Sequence, residues 1–150
     1  MSHLLVVVAL LTLLQSGQPV GKATGFFYTK DDALYFVTNR HVVIDESKGL
    51  KPDTLRIRLH TSPQDLTLYV DRDIPLYVKS VPRWHVHQDY AKKKIDIAVI
   101  EIDRTTVTAG TYIKALSRAN FLPEDFIVVP GEDVMVIGFP HGISDKKHNL

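Results

Sequence analysis

The chain has 150 residues, of which 45% are hydrophobic and 23% are charged, and its formal net charge is +1 at pH 7. This length suits one ordinary domain or one and a half small ones, and the composition excludes disorder of the whole chain. The near-zero charge argues against a nucleic-acid partner, and the lack of cysteine excludes disulfide scaffolds, thiolate nucleophiles and thiolate metal sites.

An apolar run occupies residues 4–14. It is too short for a transmembrane helix, which needs about 20 apolar residues, so no membrane span is expected. No Lys or Arg precedes the run, since the first is Lys22, and no small-x-small cleavage site follows it, which disfavours a signal peptide. We therefore predict a first buried strand, turned at residues 16–19. The compartment, bacterial cytoplasm or exported, stays open.

Short strand-like runs with turn signals between them follow along the chain, a pattern typical of an all-β barrel or sandwich. The run Leu55 to His60 alternates strictly, so one face should be buried and the other solvated. Ile95 to Ile102 is apolar on both faces apart from two acids, which predicts a central strand. Pro75 suits a sheet edge or a bulge. The remaining predicted strands cover residues 23–29, 34–38, 66–70 and 74–78.

The pattern changes at Asp103. Residues 103–130 are predicted to form a connector with a short helical stretch near 112–121. A new apolar strand is predicted over 133–138, followed by a turn at 139–142. Because a lone strand and turn cannot make a domain, the predicted organisation is a first β-barrel over 1–104, a connector over 105–130 and the start of a truncated second barrel over 131–150.

A histidine and an aspartate mark the candidate site. His41 comes directly after an apolar strand, and Asp96 opens another apolar run. An imidazole that takes a proton and a carboxylate that fixes its tautomer are two thirds of a nucleophilic triad. The alternatives are a structural histidine at a strand end and an acid that caps its strand locally.

Four segments, in this order, resemble the trypsin-like (chymotrypsin-fold) serine peptidases, and most closely the bacterial Do-type, high-temperature-requirement branch. Each motif is short, but together they span residues 23–142. They are Ala23-Thr24-Gly25-Phe26-Phe27-Tyr28, Val37-Thr38-Asn39-Arg40-His41-Val42-Val43, Asp96-Ile97-Ala98-Val99-Ile100 and Val136-Ile137-Gly138-Phe139-Pro140-His141-Gly142.

The resemblance implies a six-stranded Greek-key barrel, with His41 as general base and Asp96 as its orienting acid. It implies hydrolysis of a peptide or protein substrate through an acyl-enzyme, with no cofactor. The Gly-x-Ser-Gly nucleophile motif of this family belongs to the second barrel, and the sequence lacks it. We therefore expect the chain alone to be inactive and to need the missing C-terminal barrel; the alternative is a non-catalytic homologue acting as a binding module. The serines present are Ser2, Ser16, Ser47, Ser62, Ser80, Ser117 and Ser144.

A weaker possibility is a metal site at His85, His87 and Asp89, because alternate strand residues share a face. The spacing supplies no further strong ligand, so no metal site is predicted. Three further histidines, His60, His141 and His148, are predicted to be surface residues, and Trp84 and Tyr90 to be packing residues.

Overall fold

The computed structural model describes residues 6–139. The protein is mostly β and is built on one antiparallel sheet, as the sequence predicts. Ten strands are described: β1 Val8–Gln15, β2 Gln18–Lys30, β3 Ala33–Thr38, β4 Thr54–His60, β5 Tyr69–Pro75, β6 Tyr77–Val78, β7 Val81–Pro82, β8 Trp84–Val86, β9 Ala98–Ile102 and β10 Ala115–Leu116.

Short helical turns lie between the strands and after β10. Their bounds are α1 Arg40–Val43, α2 Tyr90–Lys93, α3 Arg104–Thr108 and the 3₁₀ turns Glu46–Lys48 and Arg118–Asn120. Within residues 6–139, no helix has the length and apolar content needed to cross a membrane.

The main sheet has the strand order β5-β4-β1-β2-β3-β9-β8, and β6 pairs with β7 in a separate two-stranded sheet. All these pairs are antiparallel, whereas β10 adds to β2 in parallel. The turns that join β1 to β2 and β2 to β3 contain two successive residues with positive φ, which is typical of tight hairpins whose twist matches that of the strands. These are Ser16-Gly17 and Asp31-Asp32.

The core lies on the inner face of this sheet. In β4 the predicted alternation is confirmed from Leu55 to Leu59, because Leu55, Ile57 and Leu59 are buried while the arginines between them are partly exposed. Phe27 and Phe36, on adjacent strands, contact edge to face with ring centroids 4.9 Å apart. Side chains from β1, β2, β3, β4, β5 and β9 share one apolar cluster.

One pairing positions the candidate site. β3 and β9 are antiparallel neighbours, with Thr38 opposite Ala98. The residues that follow β3 must therefore lie beside the residues that precede β9. His41 and Asp96 belong to these two segments, so the sheet register brings both to the same end of the sheet.

Two predicted strands are shorter than expected. Residues 66–68 are not extended, and β5 begins only at Tyr69, because Asp65 caps a turn by accepting a hydrogen bond from the backbone N–H of Thr67. β9 begins at Ala98, since the carbonyl of Asp96 accepts a hydrogen bond from the Asn39 side chain and Ile97 is 42% exposed. β9 nonetheless lies between β3 and β8, as a central strand should.

The predicted helix near 112–121 is wrong apart from the 3₁₀ turn Arg118–Asn120. Ala115 and Leu116 instead pair with Phe27 and Tyr28 of β2, so a tertiary contact overrides the local pattern. The helix of this region is α3, and Asp103 caps its start by accepting from the N–H of Thr105.

The predicted strand over 133–138 is also absent: these residues have no regular secondary structure. They have no backbone partner within 6–139, and Val136 is 91% exposed. The chain returns to the sheet at Phe139, which is buried and donates its N–H to Thr24 Oγ1 at 2.8 Å. The remainder of the predicted turn, 140–142, lies outside the described residues.

The prediction that His60 is a surface residue is wrong, because its side chain is buried. The connector causes this: the N–H of Tyr112 donates to the carbonyl of His60 at 2.7 Å and bridges the end of β4. Trp84 packs against the core cluster, as predicted. His141 and His148 lie outside the described residues.

Gly25 generates a prediction about stability. A Cβ at this position would lie 2.8 Å from the carbonyl oxygen of Val37 and would overlap the Phe36 ring. We expect Gly25→Ala to lower the free energy of unfolding by roughly 1–3 kcal/mol through overpacking. Gly21→Ala in the same strand is the control, because its Cβ would meet only Leu13 Cδ2 at 3.8 Å. Urea unfolding checks this, and equal midpoints for the two variants would contradict it.

Candidate active site

His41 is held by the helical turn α1, which follows β3 after one residue. The hydroxyl of Thr38, the last residue of β3, donates to the carbonyl of Thr24 at 2.8 Å and fixes the strand end. Val42 and Val43 are buried and anchor α1 in the core. The His41 side chain is 57% exposed. The backbone of the histidine is thus fixed by its apolar neighbours while its ring faces outward.

Asp96 contacts His41 twice. Its Oδ1 accepts the backbone N–H of His41 at 2.9 Å, and its Oδ2 lies 2.5 Å from His41 Nδ1. The side-chain amide of Asn39 donates to the carbonyl of Asp96 at 3.1 Å and holds the backbone of the acid. Both carboxylate oxygens therefore engage one residue, which fixes the orientation of the carboxylate and the ring together.

The electrostatics of this pair set the tautomer of the imidazole. Partial burial opposes ionisation of Asp96, but the hydrogen bonds from the backbone and ring of His41 outweigh it and lower the pKa of the carboxyl below its ordinary value. An ionised carboxylate can only accept hydrogen bonds, so the proton of the neutral ring sits on Nδ1. Nε2 then carries a lone pair, and no described residue hydrogen-bonds to it. The His41 ring can therefore accept a proton at Nε2.

Two open cavities include His41 in their lining. One, of about 440 Å³, is lined by His41, Leu13, Val20 and Lys22 among others. The other, of about 300 Å³, is lined by His41 together with Asp96, Ser47 and Tyr90. His41 therefore lines two separate concave surfaces.

A second cluster adjoins the pair, and sequence reasoning did not find it. Arg40 donates two hydrogen bonds to Glu46, from Nη1 at 3.0 Å and Nη2 at 2.5 Å, and its guanidinium lies 4.2 Å from the centroid of the Tyr90 ring. The hydrogen bond from Arg40 lowers the pKa of Glu46 to about 2. Glu46 and Tyr90 lie six and fifty positions after Arg40 in the sequence, so no local spacing indicates the cluster. Tyr90, predicted only as a packing residue, is its aromatic member.

The serines of the described chain do not complete a triad. Ser47 lines the smaller cavity, but its hydroxyl donates to Asp45 Oδ1 at 2.6 Å. No serine within residues 6–139 hydrogen-bonds to His41. Ser2 and Ser144 lie outside the described residues.

The residues weighed as a metal site have a structural explanation. His87 Nδ1 accepts the N–H of Asp89 at 3.1 Å, which closes the turn before α2. Over residues 6–139 there is no group of three or more His, Cys, Asp or Glu side chains arranged to hold a metal ion.

Comparisons with known proteins identify no relative: no protein-family model, no curated protein and no solved structure matches the chain. The interpretation of the site therefore depends on its own geometry.

The lowered pKa of Asp96 predicts how stability depends on pH. The folded protein binds this proton less tightly than the unfolded chain, whose ordinary value is 3.8. The stabilisation is complete above that value and is lost as the pH falls through the lower folded-state pKa. Wild type should therefore lose more stability than Asp96→Asn between about pH 5 and pH 2. Urea midpoints measured across this range check the prediction, and parallel curves for the two proteins would contradict it.

Proposed function

We propose that this chain carries the general-base part of a trypsin-like serine endopeptidase. The observation that supports this best is the His41–Asp96 pair, in which the carboxylate binds both the backbone N–H and Nδ1 of the histidine and leaves Nε2 facing outward. A purely structural histidine would need no acceptor-only partner to fix its tautomer. The substrate is a peptide or protein, and the reaction needs no cofactor.

In this proposal Nε2 of His41 takes the proton of an attacking serine hydroxyl and later gives it to the leaving amine. Asp96 holds the ring with Nδ1–H toward itself and stabilises the imidazolium that forms. The observed hydrogen bonds suit both roles of Asp96, holding the ring and stabilising its positive charge. The serine and the oxyanion-hole donors belong to a second barrel.

We further propose that the main sheet closes into the six-stranded Greek-key barrel of this fold, in which β5 and β8, the two ends of its seven-strand order, count as one bent strand. β5 and β8 are the ends of the strand order, and the hairpin of β6 and β7 connects them along the chain. Its pairing continues to Leu76, whose carbonyl accepts the N–H of Arg83 at 2.9 Å. The residue that follows β5 thus lies beside the residue that precedes β8, and this proximity of the two ends of the strand order supports closure.

Apolar side chains after residue 120 support the second barrel. Ile127, Val134 and Val136 are 77%, 80% and 91% exposed. Contiguous exposed apolar surface commonly marks a binding surface. In the proposed enzyme, this segment packs into the second barrel, which then supplies its strand partners.

The second candidate function is a non-catalytic homologue that binds a partner. The observation that favours it is that no serine among the described residues hydrogen-bonds to His41. A Gly-x-Ser-Gly motif encoded downstream of Leu150 distinguishes the two, since only the enzyme needs it.

The test is labelling by a fluorophosphonate probe together with casein cleavage. Residues 1–150 should give neither, because histidine and aspartate cannot form an acyl-enzyme without the nucleophile. The product extended downstream should give both. In it, His41→Ala should abolish labelling and Asp96→Asn should lower kcat by roughly 10⁴-fold.

The matched control is Asp73→Asn, which removes a carboxylate that pairs with Arg56 on β4 instead of contacting His41. Its kcat should equal that of the unmodified extended protein. An extended protein that folds and never labels would overturn the proposal in favour of the binding module. Labelling of residues 1–150 that His41→Ala removes would place the nucleophile in this chain and would overturn the two-barrel division.

A further inference from the structure

We propose that Arg40 is a positioning residue that holds the Asp96 segment against His41, acting through Tyr90 and Glu46. Any effect of Arg40 on catalysis rests on the proposed function. The structural claim does not, because it concerns the hydrogen bond between His41 Nδ1 and Asp96 Oδ2.

The acid lies on a segment with few restraints of its own. Residues 94–97 precede β9 and lie outside its ladder of hydrogen bonds. Lys94 has a left-handed backbone with φ of 54°, and the N–H of Ile97 bonds only within the segment, to the carbonyl of Ile95 at 3.0 Å. Asn39 supplies one tether, to the carbonyl of Asp96. The backbone N–H of His41 supplies a second tether, to Asp96 Oδ1, and a contact at the start of the segment adds a further restraint.

Tyr90 provides that contact. It opens α2, and its carbonyl accepts the N–H of Lys94 at 2.9 Å, so the tyrosine is joined directly to the start of the Asp96 segment. Its ring lies against the guanidinium of Arg40, the residue that precedes His41 in α1. The Arg40–Tyr90 contact thus connects the element that carries the histidine to the segment that carries the acid.

Glu46 fixes the other side of the guanidinium. It opens the 3₁₀ turn Glu46–Lys48. Asp45 caps this turn by accepting the N–H of Ser47 and exchanges two backbone hydrogen bonds with Leu50. The Arg40 side chain is only 14% exposed. The guanidinium is thus held between a braced turn and an aromatic ring, which leaves it little freedom to move.

Charge explains why the carboxylate of Glu46 is needed. The Lys94 ammonium also lies over the Tyr90 ring, 5.3 Å from its centroid, so two cations contact one aromatic ring. Glu46 offsets their repulsion by binding Arg40. The positive charge of Arg40 in turn attracts the Asp96 carboxylate.

Arginine is suited to this position and lysine is not. A planar guanidinium can form two parallel hydrogen bonds to a carboxylate while its face stacks on an aromatic ring, whereas an ammonium is a point charge without a stacking face. We therefore expect Arg40→Lys to hold the pair only in part and Arg40→Met, which keeps the length of the stem, to release it.

The experiment uses residues 1–150 labelled with ¹⁵N-histidine, and the readout is the downfield NMR signal of the Nδ1-bound proton of His41. His41→Ala assigns that signal among the seven histidines of the chain. Arg40→Met should abolish the signal or move it upfield, and Arg40→Lys should broaden it. Urea midpoints measured in parallel separate this local effect from general loss of stability.

Arg58→Met is the matched control. Arg58 pairs with Asp71 at 3.3 Å and stacks on the Tyr69 ring at 3.9 Å, which repeats the carboxylate–arginine–tyrosine arrangement on β4 and β5. The control should match Arg40→Met in urea midpoint and should leave the His41 signal unchanged.

Three results would overturn the proposal: no downfield His41 signal in wild type, a wild-type signal in Arg40→Met, or an equal loss in Arg58→Met. If Arg40→Met does not fold, the same NMR measurement on Tyr90→Leu tests the proposal, because this variant removes the Arg40–Tyr90 contact from the side of the tyrosine. Lack of peptidase activity in the extended protein would count against the proposed function and would leave this result standing.

Discussion

The antiparallel pairing of β3 with β9 is the constraint on which the site depends. Its register places Thr38 opposite Ala98, so the turn that leaves one strand meets the segment that enters the other. A shift of one residue would reverse the faces of Leu34 and Phe36 and would expose core side chains, so the register is fixed by burial. The contact between His41 and Asp96, 55 positions apart, is thus a consequence of how the apolar core is packed.

The sequence was sufficient for elements whose burial pattern is periodic and for residues tied to strand ends. β3 and β4 were predictable because alternate residues are buried, as in Leu55, Ile57 and Leu59. His41 and Asp96 could be named because each adjoins an apolar strand in a short motif, and the structure brings them together. Their catalytic role remains a proposal, since proximity in the fold is compatible with either candidate function.

The rest depended on contacts between distant segments. Ala115 and Leu116 favour a helix by composition, yet they add to β2 because that strand offers free backbone groups beside Phe27 and Tyr28. His60 is buried because Tyr112 closes over the end of β4. Residues 133–138 have the composition of a strand, but extended backbone is stable in a sheet only with a hydrogen-bonding neighbour, and the described chain provides none.

The exposure of the His41–Asp96 pair links the local geometry to the proposed second barrel. With side chains 57% and 41% exposed, the two groups lie at the water interface, where solvent screens their attraction. The hydrogen bonds from the backbone N–H of His41 and from Asn39 are fixed in direction by the fold and do not depend on that attraction. The chain can therefore set the geometry of the pair by itself. Covering the pair with a second barrel would lower the local dielectric and strengthen interactions that already point the right way.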